Sequence, residues 1–163
     1  QVFLGKGGWY GSPFTLGVNL TAKWKNFTFF ALGTGNFGAY GLKNNSYWWV
    51  KGDGKYSAVV RNRWTKATKE TATYPCLTTL SGSNNYQTSD FWMYSTDAFR
   101  LAKVQITYDL PSTLFQKTWV KGFSAYVSGA NLLTISKNRE VLEMNIGSAP
   151  QTRYYNIGVK ATF

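Results

Sequence analysis

The chain has 163 residues with a net charge of +11, is 18% aromatic and only 15% charged, and contains sixteen glycines and no histidine. That length fits about one domain, and so many aromatic and glycine residues against few charged helix formers favour β structure. No run approaches the ~18 apolar residues of a transmembrane helix, which leaves alternating membrane strands open.

The start, Gln1-Val2-Phe3-Leu4-Gly5, lacks the basic head and long apolar stretch of a signal peptide. The chain is therefore expected to be processed or to be a piece of something longer. Its first twelve residues read as the end of a loop.

Phe14, Leu16, Val18, Leu20, Ala22 and Trp24 then alternate with polar or small residues, the period of two of a strand with one apolar face. Lys25-Asn26 turns the chain into a second strand through Phe27, Phe29, Phe30 and Leu32 toward Tyr40. The pair, about 13–25 and 27–40, is expected to be a hairpin.

From about 42 to 97 no period is sustained, apart from a possible short strand over Tyr56 to Arg63. Such a stretch is foreign to a compact soluble domain but natural to a barrel, whose outward loops are long and whose inner turns are short.

A third strand is expected over 98–110. Phe99 and Leu101 lie on one phase and Val104, Ile106 and Tyr108 on the other, so a bulge is placed near Ala102-Lys103, and Pro111 ends the strand. Phe123, Ala125, Val127 and Gly129 carry a fourth strand, about 122–134, and 135–152 reads as a second polar loop.

The last strand, 153–163, sets Tyr155, Ile157, Val159, Ala161 and Phe163 against Tyr154, Asn156, Gly158, Lys160 and Thr162. About eleven residues at roughly 3.3 Å each, tilted by about 45°, cover close to the ~25 Å apolar band of an outer-membrane barrel. Five such strands cannot close a barrel, which takes at least about eight. The remaining wall is expected from chain beyond these residues or from other copies.

Several motifs are familiar. Asn62-Arg63-Trp64-Thr65, Tyr74-Pro75, Ser89-Asp90-Phe91-Trp92-Met93, the stretch from Phe99-Arg100-Leu101-Ala102-Lys103 to Leu110-Pro111, Tyr126-Val127-Ser128-Gly129-Ala130-Asn131-Leu132-Leu133-Thr134, and the closing Tyr155-to-Phe163 segment occur in one order. In sequence and spacing they resemble the C-terminal part of SusC/RagA-type TonB-dependent transporters of Bacteroidota. Cys76 stands where that family often has Arg, and Lys137-Asn138-Arg139-Glu140 where it often has Asp-Pro-Glu.

The resemblance implies an all-β fold, an antiparallel transmembrane β-barrel segment comprising the last five strands of a 22-stranded barrel with long extracellular loops. It also implies a Gram-negative outer membrane, a plug and earlier strands outside this chain, energy from TonB, a SusD-like lipoprotein lid, and an oligosaccharide or peptide substrate. The alternatives are a soluble β-sandwich that binds carbohydrate and a barrel assembled from several copies.

Enzymatic chemistry finds little support. With no histidine and only Asp53, Glu70, Asp90, Asp97, Asp109, Glu140 and Glu143 as acids, no nucleophile–base pair is legible. Asp90 and Asp97 are the acids able to flank a ligand or a loop calcium ion, although ordinary solvated loop acids account for them, and no cofactor is expected. Gly33-Thr34-Gly35-Asn36-Phe37-Gly38 lacks the helix a dinucleotide site requires, and Gly52-Asp53-Gly54-Lys55 is read as a turn rather than a phosphate loop. Basic residues are scattered from Lys6 to Lys160, which argues against nucleic acid, and Cys76 has no intrachain partner.

The ligand-facing candidates are loop residues: Trp48, Trp49, Trp64, Asp90, Trp92 and Tyr94. Flat rings can stack on sugars or peptide side chains, but they can equally pack the loop on itself. Trp24, Tyr155 and Phe163 are assigned to the membrane girdle and the assembly signal.

Overall fold

In the computed structural model the described residues are 11–52, 57–80, 83–116 and 119–163. The expected five strands form one antiparallel sheet in the order β1 (Phe14–Trp24), β2 (Phe27–Phe37), β5 (Ala98–Asp109), β6 (Gly122–Ile135), β7 (Tyr154–Thr162). Between β2 and β5 lie β3 (Tyr40–Leu42) and β4 (Met93–Ser95), which pair with each other, and a short helix α1 (Arg139–Met144) precedes β7.

The register explains the two-faced character of the sheet. Val18 faces Gly33, Trp24 faces Phe27, Phe29 faces Ile106, Ile106 faces Val127, and Val127 faces Ile157. One surface therefore collects the apolar phase of every strand. The other collects Thr28, Thr107, Gln105, Ser128 and Asn156.

A bulge keeps that segregation intact where the phase slips. Lys103 pairs with Leu32 but Leu101 with Gly33, so Ala102 is the extra residue of β5. Toward β6, Leu101 meets Leu133 while Lys103 meets Ala130, leaving Asn131 and Leu132 opposite Ala102. Asn131 absorbs the offset at φ 56°, in the left-handed region that asparagine tolerates better than most residues.

All turns of the sheet lie at one end. Trp24 and Phe27 close the first hairpin with Lys25 at φ 51°, and Asn26 extends the ladder by donating Nδ2 to Asp109 O at 2.7 Å. Gly122 pairs with Thr162 at the same end. The segments 38–97 and 136–153 both leave from the opposite end, here termed the loop end.

Aromatics border both ends of the apolar face. At the hairpin end Trp24 stacks near Phe27, Phe27 lies 4.7 Å from Tyr108, and Phe163 stacks on Trp119 at 4.6 Å. At the loop end Phe14 meets Phe37 at 6.0 Å.

Nothing in the chain covers this face among the described residues. Tyr155 is 74% exposed, Ile157 85% and Val159 67%. A β-sandwich would require a second sheet over them. The β3–β4 pair has three residues per strand and is too small for that.

The buried core instead belongs to the segment between β3 and β4. Val50, Val60, Tyr74, Tyr86 and Trp92 form one cluster, with Leu42, Trp48, Trp49, Val59 and Leu77 packed around it. Where a strand over Tyr56 to Arg63 was expected, Ala58–Asn62 is a 3-10 helix that points Val60 into this core, and only Arg63 bridges to Tyr74. Tyr56 and the Asp53-Gly54-Lys55 part of the expected turn lie outside the described residues, as do residues 1–10 of the glycine-rich start.

Two further expectations change. The second strand stops at Phe37 rather than Tyr40, because Gly38 turns at φ +85° and gives its N–H to Asp97 Oδ1 at 2.6 Å. The second loop is not wholly irregular, since Arg139–Met144 is helical with an Arg139–Glu143 ion pair one turn apart.

Candidate functional site

Two surfaces can meet a ligand: the polar face of the sheet and the segment above its loop end. On the polar face, Lys103, Gln105, Tyr126, Ser128 and Asn156 border a broad concavity of about 360 Å³. Gln105 donates Nε2 to Thr107 Oγ1 at 3.0 Å, Ser124 and Asp109 share a hydrogen bond at 2.6 Å, and Ser128 is buried. The Tyr126 ring lies across Gly158, its cross-strand neighbour, where a Cβ would come within 2.5 Å of the ring. Glycine there lets the backbone carry a flat ring pressed against the wall.

The loop segment is organised by Trp92, which is 3% exposed. Its ring lies 5.7 Å from Tyr74, 6.0 Å from Trp49 and 6.3 Å from Tyr86, and its indole N–H donates to Asn85 O at 3.0 Å. Tyr74 Oη donates to Trp48 O at 2.7 Å and accepts from Val50 N, while Tyr86 Oη donates to Val50 O. Burial pushes the Tyr86 phenol above its ordinary range. These hydroxyls act as neutral structural donors.

The ligand-facing candidates thus divide. Trp92 presents no free ring face and is a core residue, and Trp49 packs on Tyr86 and Trp92 with Lys51 Nζ 5.7 Å from its ring. Trp64 is 44% exposed on a turn tied to Tyr74 O. Asp90 Oδ1 accepts from Phe91 N at 2.9 Å, and Asp97 is engaged by Gly38, so both acids serve the backbone. Among the described residues no three acidic or cysteine side chains gather as a metal site would need.

Trp48 and Tyr94 are brought together. Lys43 Nζ lies 4.8 Å from the Trp48 ring centre and 5.9 Å from that of Tyr94, and both rings border a cavity of about 140 Å³ whose far wall is α1. Partial burial raises the pKa of Tyr94. The helix wall was missed in the sequence; the only local sign of it is the Arg139–Glu143 spacing.

The fold and both surfaces can now be set beside known proteins. The chain aligns with the RagAB peptide importer. In the structure of its 'closed-closed' state the TM-score is 0.71, and in that of its 'open-open' state 0.69, each at 26% identity over 93% of this chain. A structure of the RagAB peptide transporter aligns over 76% of the chain with a TM-score of 0.56. The chain spans 17% of the length of the first two neighbours. No family model and no curated protein matches. The neighbours are transporters rather than enzymes, and the five-stranded sheet has the form of a β-barrel fragment.

Proposed function

We propose that this chain is a wall segment of a TonB-dependent β-barrel importer in a Gram-negative outer membrane, and that the substrate is a peptide. One observation carries the reading: an uncovered apolar sheet face, bordered by aromatics at both ends, backs a polar face. In water such a face would be an aggregation hazard, whereas in a bilayer it is the outer surface of a barrel. An eleven-residue strand such as β1 is about 35 Å long and, tilted by about 45°, rises about 25 Å, which suits the apolar band.

In this reading the hairpin end is periplasmic and the long segments are extracellular. The polar concavity lines the lumen beside a plug, and the unpaired edges of β1 and β7 continue into the rest of a 22-stranded wall. An unpaired edge in hydrocarbon would cost several kcal/mol per lost hydrogen bond, so closure is obligatory. A SusD-like lipoprotein covers the loop side, and TonB acts through parts outside these residues. The reading needs no metal or cofactor.

The test uses the intact protein that carries this chain. It should fractionate with the outer membrane, require detergent, shift its gel mobility on heating and take up labelled peptide only when TonB is present. A detergent-free soluble protein would contradict the reading. The mass of the purified particle separates a long single-chain barrel from one built of several copies.

A further inference from the structure

We propose that the concavity on the polar face of the sheet is a binding station for a carboxylate of an extended peptide, with Lys103 supplying the charge and Gln105, Tyr126, Ser128 and Asn156 the surrounding hydrogen bonds. The inference rests on the importer reading and names the charge that this wall selects in the substrate.

The register shows why the wall is hollow here. Gln105, Ser128 and Asn156 stand side by side in one cross-strand row, the next row toward the loop end holds Lys103 and Ala130, and the next toward the hairpin end holds Thr107, Tyr126 and Gly158. Small Ser128 and Ala130 thus lie among longer side chains, and the space between measures about 360 Å³, within the roughly 300–1,000 Å³ of ligand clefts. Its donors are unclaimed. Gln105 spends one amide N–H on Thr107 Oγ1 at 3.0 Å and keeps the other, while Lys103 Nζ, Tyr126 Oη and the Asn156 amide have no hydrogen-bond or ion-pair partner among the described residues.

Charge sets the sign of the ligand. The register places every charged side chain of the five strands on this face, Lys23, Arg100, Lys103 and Lys160 against Asp109 alone. Asp109 lies at the hairpin end, where its Oδ1 accepts from Ser124 Oγ at 2.6 Å, and none of the three rows that form the concavity contains an acid. A cation set among neutral donors favours a carboxylate through charge-assisted hydrogen bonds, and it repels a lysyl or arginyl side chain.

The test is a titration of the intact detergent-purified protein with a short Gly/Ser/Asn host peptide, its ends blocked, carrying one central Glu, Gln or Lys guest, and with the Gln peptide again bearing a free C-terminus. A carboxylate should tighten binding about 5-fold or more over the blocked Gln peptide, and the Lys guest should not. The Glu guest and the free C-terminus tell a side-chain carboxylate from a terminal one, and a Lys103-dependent gain from either supports the station. Lys103→Gln should bring the gain below about 2-fold while Lys103→Arg keeps it, and added salt should shrink it, as it would not shrink a gain from neutral hydrogen bonds. Tyr126→Phe, which keeps the ring and removes the hydroxyl, should lower the gain at least about 2-fold and makes the same test if Lys103→Gln does not assemble. Equal binding of all the peptides by the wild type, a preference for the Lys guest, or a gain untouched by either variant overturns the station and leaves the importer reading standing. Failure of a correctly assembled barrel to bind any of the peptides overturns both.

Discussion

Trp92 was a ligand candidate by composition and is a core residue by position, because a ring with neighbours on every side has no face left to stack on a substrate. Trp92→Ala should cost the outward segment about 3–5 kcal/mol, read as loss of protease protection over 42–97, whereas Trp64→Ala should stay within about 0.5 kcal/mol. Gly158 makes the opposite demand, for absence of bulk. Gly158→Val should cost roughly 1–3 kcal/mol by displacing Tyr126, and Tyr126→Ala in that background should recover part of it. At Glu143 the effect is electrostatic: the hydrogen bond from Arg139 holds its carboxyl below the usual range. A lowered folded-state pKa adds stability above the unfolded value and loses it as pH falls through the folded one. Glu143→Gln should therefore loosen α1 by only about 0.3–0.5 kcal/mol near neutral pH and make its protease protection independent of acidification.

At the scale of elements, the strands were legible because each carries a period of two on its own, and even the bulge could be read from the slip between Leu101 and Val104. The segment between β3 and β4 could not be read that way. Its core draws Val50, Val60, Tyr74, Tyr86 and Trp92 from stretches without a shared period, joined only by long-range contacts. A six-residue helix is likewise too short to announce itself by periodicity, so the wall it gives the cavity beside Trp48 and Tyr94 was invisible while the two rings were not. Two substitutions test the strand account. Asn131→Ala should cost about 1 kcal/mol by placing a Cβ-bearing residue without a polar side chain in the left-handed region, and Asn131→Gly should cost less, both by denaturant titration. Val159→Arg should cost roughly 2–4 kcal/mol of folding in bilayers if that face meets hydrocarbon near mid-depth.

For the whole molecule, the two-faced sheet is the feature on which the proposed transport, location and partners all depend. Phe163 follows directly on β7, exposed and stacked on Trp119, and its deletion should lower the amount of intact protein in the outer membrane. The most direct measurement is a spin-label scan of β7, one label at a time from position 156 to 161, in the intact protein reconstituted in lipid with Cys76 replaced by serine. Labels at 157, 159 and 161 should be accessible to oxygen and shielded from a water-soluble nickel complex, and those at 156, 158 and 160 the reverse. Accessibility without that alternation, or apolar positions open to nickel, would mean that the exposed face of this sheet does not lie against lipid.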